Sequence, residues 1–231
     1  MGIAASAIRQ RSAAELFLFA ALCCCEKPSA AQEHTWKQNA TIGAGVAIPG
    51  ADMRPFMSSA FLFRVNYAYR FHRFLQAETG IDAISGAAGV NRVEDSAVGD
   101  IRIRDNEYVV PFGVRAILPL SRGRFELSTG GGGAYIFYSE EADAPEGVNV
   151  YCPFGGCAVI VDCNHCNSRS GWGYYAIAGA ALALDARRRT WLGFTGRFVR
   201  GTTSGQTLGR VPGLSTADQW LGAAVELNYR F

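Results

Sequence analysis

The chain has 231 residues, of which 49% are hydrophobic and 18% charged, with 27 glycines and a formal net charge of +2. Near-neutrality without a basic block or stripe leaves no electrostatic footprint for nucleic acid, which is excluded as a partner. No apolar run after residue 31 approaches the roughly 20 residues that a spanning helix needs, so a helical membrane protein is excluded too.

Residues 1–31 read as a cleaved signal peptide. Arg9 and Arg11 form a positive n-region, Ala13 to Cys25 an apolar h-region with Glu15 early in it, and Ser29-Ala30-Ala31 the small residues that signal peptidase reads. The apolar run is too short for an uncleaved anchor, and Leu22 before Cys23 is too large for the residue that usually precedes a lipid-modified cysteine. Cleavage after Ala31 takes three of the seven cysteines with it. It leaves Cys152, Cys157, Cys163 and Cys166 in the mature chain, 32–231, with 19 basic residues against 18 acidic ones.

Beyond the signal the apolar residues alternate with a period of two, the mark of strands with one face in a nonpolar medium. Residues 38–48 set Ala40, Ile42, Ala44, Val46 and Ile48 against Asn39, Thr41, Gly43 and Gly45. Residues 59–71 set Phe61, Phe63, Val65, Tyr67, Tyr69 and Phe71 against Arg64, Asn66 and Arg70, and residues 74–83 oppose Leu75, Ala77, Thr79 and Ile81 to Gln76, Glu78 and Asp82. The pattern recurs in 107–118 (Tyr108 to Leu118 against Gly113 and Arg115) and in 124–138 (Phe125, Leu127, Tyr135 and Phe137 against Glu126 and Ser128). It continues in 172–184 (Trp172, Tyr174 and the even positions to Leu184) and in 190–200 (Leu192, Phe194 and Phe198 against Thr195 and Arg197). The last segment, 219–231, opposes Leu221 to Phe231 to Glu226, Asn228 and Arg230. These eight segments predict an all-β chain, an eight-stranded antiparallel up-and-down transmembrane β-barrel.

The joints sort by side. The second, fourth and sixth, around Arg70 to Arg73, Pro119 to Gly123 and Asp185 to Arg189, are tight, whereas the others are longer, above all the one between Tyr138 and Gly171. A barrel with both termini at one end, brief periplasmic turns and long outer loops has this pattern. A charge on the lipid face near mid-bilayer costs about 2 to 4 kcal/mol, so the face with Arg64, Glu78, Arg115, Glu126, Arg197 and Glu226 is assigned to the lumen. The aromatic face then meets lipid, with girdles of rings toward both strand ends. A hairpin centred between Leu120 and Ser121 would place Arg115 opposite Glu126. Arg64 and Glu78 are similarly disposed about Phe71, and Arg197 and Glu226 are candidates across the last hairpin, in a register its long joint leaves open.

The chain ends Val225-Glu226-Leu227-Asn228-Tyr229-Arg230-Phe231. A final Phe preceded at alternate positions by Tyr229 and aliphatic residues resembles the insertion signal of outer-membrane barrels. Together with the signal peptide and the eight strands, the mature chain resembles the small outer-membrane β-barrel family of the OmpA and OmpX type. The resemblance implies insertion by the barrel insertion machinery into outer-membrane lipid, and a monomeric or loosely associated barrel. It implies no single activity, since such barrels serve as anchors, adhesins, small channels and a few lipid-modifying enzymes.

Three motifs remain. The four mature cysteines, clustered in an exported chain, favour disulfides that stiffen a long loop. Zinc held with His165 and a redox pair of Cys163 and Cys166 are the other readings. Gly130 to Gly133 lacks the Lys-Ser or Lys-Thr and the helix of a phosphate loop, and reads as strand glycine permitting close backbone approach. His34, His72 and His165 all fall outside the expected strands, which disfavours a histidine-dependent enzyme at the barrel wall. The expected role is therefore structural or surface-interacting, with a lumen plugged by charged side chains, an outer partner through the loops, and neither catalysis, cofactor nor metal. A narrow channel or carrier and a lipid-modifying enzyme are the alternatives.

Overall fold

A computed structural model describes residues 36–50, 54, 58–86, 93–96, 99–143, 163–207 and 215–231. The signal-peptide assignment lies outside these residues, as do His34, Cys152 and Cys157.

The described chain is almost entirely strand: β1 (Gln38–Pro49), β2 (Ala60–His72), β3 (Leu75–Ser85), β4 (Val93–Ser96), β5 (Gly99–Leu120), β6 (Phe125–Asp143), β7 (Cys163–Ala183), β8 (Thr190–Thr207) and β9 (Ser215–Arg230). Each wall strand pairs antiparallel with its sequence neighbours, β3 pairs with β5, and β1 pairs with β9. The sheet therefore closes on itself as an eight-stranded up-and-down barrel. The ninth strand, β4, stands outside the wall and pairs with the start of β5, from Val93↔Arg102 to Ser96↔Gly99. Closure satisfies the backbone groups that an open sheet would leave unpaired at its edges.

Period-two alternation builds the wall. In β9 the burial alternates through Leu221, Val225, Leu227 and Tyr229, all exposed, and Gly222, Ala224, Glu226 and Asn228, all buried. The exposed face is the apolar one: Phe194 is 58% and Val225 54% accessible, whereas Glu226 is 1% accessible. The molecule is thus inverted relative to a water-soluble barrel.

The start of β1 and the end of β9 lie at the end of the tight turns, where Gln38 and Phe231 exchange backbone hydrogen bonds of 3.1 and 3.0 Å. The turn after β5 is one 3-10 turn, Ser121–Gly123, whose Ser121 and Gly123 adopt positive φ of 49° and 75°. The β3–β5 ladder is interrupted between Thr79↔Phe112 and Asp82↔Val109. Pro111, which has no N–H to donate, occupies that break.

Two expectations are corrected. Strands β5 to β8 run further at the loop end than the alternation reached, to Gly99, Asp143, Cys163 and Thr207. In β6, β7 and β8 these extensions are polar at successive positions, so period two fades while backbone pairing continues, whereas in β5 Ile101 and Ile103 still alternate with Arg102 and Arg104 beyond the expected segment. Cys163, His165 and Cys166 accordingly fall in β7, with Cys163 opposite Ala142, and not in a loop; their side chains lie outside the described structure. His72, expected in a turn, is the last residue of β2.

Candidate functional site: the barrel interior

The inward positions stack in layers. The middle layer is charged and buried. Arg64, fully buried on β2, donates from Nε and Nη2 to both oxygens of Asp82 on β3, at 2.8 and 2.9 Å. Its Nη1 donates to Thr195 Oγ1 on β8 at 2.7 Å and to Glu226 Oε1 on β9 at 2.9 Å. Thr195 in turn donates to Glu226 at 2.6 Å, and Arg197 Nη1 to Asp82 Oδ1 at 2.7 Å. One guanidinium thus crosses the barrel, and its planar fork matches a carboxylate bidentately as a lysine cannot. Beside this hub, Glu78 accepts from Arg115 Nη2 at 2.6 Å and from the Tyr175 hydroxyl at 2.9 Å. Arg197 lies over the Tyr175 ring, 5.1 Å from its centroid.

Glycine makes the room. A Cβ on Gly113 would stand 2.3 Å from the Gly131 carbonyl oxygen and 2.6 Å from the Tyr175 hydroxyl, and one on Gly132 2.2 Å from the Phe112 carbonyl oxygen. The run Gly130 to Gly133 lies inside β6, paired with Gly113 and its neighbours, where Gly130 and Gly132 let the β5 backbone approach closely.

Toward the turns a second charged group closes the barrel. Glu126 accepts from both terminal nitrogens of Arg230, one at 3.1 Å, and from Arg70 Nη2 at 3.4 Å. The Arg230 guanidinium lies 3.9 Å over the buried Trp191 ring. Between these two layers is a cavity of about 30 Å³ lined by Asn39, Gln76, Arg115, Glu126, Thr195 and Asn228 among others. That volume suits a water or two.

Toward the loops the charge gives way to an apolar plug of Leu62, Ile84, Val109, Ile136, Val199 and Trp220. Above it sits a second polar group. The Trp220 Nε1 donates to Glu107 Oε2 at 2.7 Å, Asp218 accepts from Thr203 and Thr216, and Arg169 lies 4.2 Å over Tyr138.

All six charged residues picked from the alternation, Arg64, Glu78, Arg115, Glu126, Arg197 and Glu226, are buried inside the wall. Their partners differ from those expected. Arg115 stands opposite Gly130 and Glu126 opposite Pro119, because Pro119 and Leu120 still belong to the ladder and the turn comes later. Arg64 stands opposite Asp82 and Glu78 opposite Ala68, again because the hairpin closes further along, at His72↔Leu75. Across the last hairpin Arg197 faces Gly222 and Glu226 faces Gly193. In the first two hairpins the shift is an even number of residues, which keeps each side chain on its face while changing its neighbour.

Asp82, Arg230 and Tyr175 complete the network and were marked only by parity. The apolar plug had no mark at all: Leu62 sits between Phe61 and Phe63, so nothing in composition tells the inward residue from the outward ones. At the opposite end of β2 His72 is exposed, its Nδ1 accepting the Phe74 N–H at 3.4 Å. Tyr229 and Phe231 are both outward, 46% and 48% accessible, with rings stacked at 6.2 Å. Among the described residues no group of three or more His, Cys, Asp or Glu is arranged to hold a metal ion.

Among solved structures the chain is similar to Neisserial surface protein A, at 11% identity and a TM-score of 0.49, covering 84% of this chain and 97% of that one. It is also similar to a major outer membrane protein from Thermus thermophilus, at 11% and 0.49, covering 84% and 99%. The attachment invasion locus protein Ail of Yersinia pestis matches at 14% and 0.43, covering 83% and 98%. No family model matches the sequence, and no curated protein matches it.

Proposed function

We propose that this chain is an integral barrel of a bacterial outer membrane, exported by its signal peptide, in which a closed and plugged wall serves as a structural or surface-interacting element. The observation that carries the reading is the inversion of the barrel. Apolar side chains such as Phe61, Phe112, Phe194, Leu221 and Val225 are exposed around the wall, while Arg64, Arg197 and Glu226 are enclosed. An exposed apolar belt of that extent aggregates in water and is stable against lipid tails. The plug is supported by the charged layer, whose carboxylates are each paired with an arginine, and by the apolar layer above it.

The test is to refold the chain 32–231 into lipid vesicles. Insertion should give a form that resists urea and changes gel mobility on boiling, since the closed ladder holds its backbone groups within the wall. Val225→Arg, placing a charge on the outward face, should weaken that form by about 2 to 4 kcal/mol. A protein that stays soluble without detergent, indifferent to Val225→Arg, contradicts the membrane reading.

A further inference from the structure

The near-neutral total hides an excess of basic residues at the turn end of the barrel. At the turn end, among the described side chains, Lys37, Arg73, Arg124, Arg187, Arg188 and Arg189 face one acid, Asp185. That acid is already engaged, its Oδ1 accepting the backbone N–H groups of Arg189 and Thr190 at 2.9 and 2.8 Å. Arg70 and Arg230 do not belong to this set, since both turn inward to Glu126.

The basic residues are held in a ring by the wall itself. The three tight turns are stitched to the strands beside them by Ile117 N–H to Phe74 O at 2.8 Å, Ala183 N–H to Arg124 O at 2.9 Å and Arg230 N–H to Arg189 O at 2.8 Å. Aromatic rings fix two of the cations. Arg189 lies 4.2 Å over Trp36, whose Nε1 donates to Arg187 O at 3.3 Å, and Arg73 lies 4.5 Å over Phe74. Next to the ring, on the outward face, stand Phe71, Leu75, Leu184, Tyr229 and Phe231, all exposed. An apolar lip bordered by guanidinium groups is the profile of a surface that sits at the level of lipid phosphates, with aliphatic stems in the apolar zone and charged heads beyond it.

We infer that the turn end of the barrel is a basic collar that binds the phosphates of anionic phospholipid headgroups in the leaflet facing the turns. The inference rests on the membrane reading and adds a lipid preference and an orientation to it. Charge complementarity selects the partner: Arg forms paired hydrogen bonds to phosphate oxygens, and the collar follows the circumference, as a shell of lipid does. A collar of this kind opposes tilting and sliding of the barrel.

The test uses the chain 32–231 in phosphatidylcholine vesicles carrying a minor fraction of spin-labelled phosphatidylglycerol, compared with spin-labelled phosphatidylcholine. Wild type should immobilise the anionic label in preference to the neutral one, with the preference shrinking as salt is raised. The triple variant Lys37→Gln, Arg124→Gln, Arg187→Gln should reduce it, by up to about fivefold for each charge that meets a headgroup. All three side chains are exposed, and the variant keeps the backbone contacts of the turns. Arg124→Lys with Arg187→Lys should keep most of the preference. Insertion by wild type with no preference for the anionic label, or a preference unchanged in the triple variant, overturns the collar and leaves the membrane reading intact. Absent lipid preference combined with salt-sensitive retention on purified peptidoglycan assigns the collar to the cell wall and overturns the lipid assignment. Failure of wild type to insert into either bilayer overturns the membrane reading and the collar with it.

Discussion

Arg64→Met is the sharpest probe of the filled lumen. Met is apolar and long enough to occupy much of the same space, so the change removes charge with little loss of volume. Asp82 would keep its bond to Arg197 at 2.7 Å, whereas Glu226 would retain only the Thr195 hydroxyl at 2.6 Å. The variant thus strands one carboxylate in a dry interior where it is 1% accessible, and breaking a buried pair in this way costs about 3 to 5 kcal/mol. The stranded charge, more than the lost contact, is the cause. Arg64→Met combined with Glu226→Leu should therefore be more stable than Arg64→Met alone and recover a large part of the loss. The assay is equilibrium urea unfolding in vesicles, followed by tryptophan fluorescence and by the gel mobility shift. A single variant within about 1 kcal/mol of wild type, or a double variant no better than the single one, refutes the argument that these charges stabilise the barrel through mutual neutralisation.

Tyr175→Phe keeps the ring against Arg197 and removes the hydroxyl bonded to Glu78; the expected cost is about 1 to 3 kcal/mol in the same unfolding assay. Two glycine variants should separate cleanly. Gly113→Val meets the Gly131 backbone and the Tyr175 hydroxyl and should destabilise by about 1 to 3 kcal/mol or prevent refolding, whereas a Cβ at Gly196 meets nothing within 4 Å, so Gly196→Ala should be neutral or slightly stabilising. For the cysteines we propose disulfides: alkylation without reductant should modify none of Cys152, Cys157, Cys163 and Cys166, and reduction should expose all four without abolishing the gel shift. Stoichiometric zinc in purified protein would favour the metal reading instead.

The wall was legible in the sequence because one physical demand, an apolar face outward at every second residue, is repeated along each strand. Val225, Leu227 and Tyr229 against Glu226 and Asn228 is enough to orient β9. Hairpin register was not legible, since alternation is unchanged by a slip of an even number of residues. That is why the inward roster survived while Arg115 moved from Glu126 to Glu78. The strand extension from Cys163 was hidden for the opposite reason: where successive residues are polar, pairing of the backbone leaves no trace in side-chain pattern, whereas the extension from Gly99 left one in Ile101 and Ile103 against Arg102 and Arg104. The apolar plug escaped notice because an inward Leu62 or Val109 among outward apolar neighbours reads like more of the same face.

The central claim, a membrane barrel whose interior is filled, is tested most directly by conductance of the refolded wild-type protein in a planar bilayer. The charged layer around Arg64 and the apolar layer around Trp220 both lie buried within the wall, and the cavity near Thr195 measures about 30 Å³. Insertion events should therefore produce little or no steady current, and Arg64→Met should produce leak or flicker. A large, steady wild-type conductance, unaltered by Arg64→Met, would contradict the filled lumen and make the protein a channel.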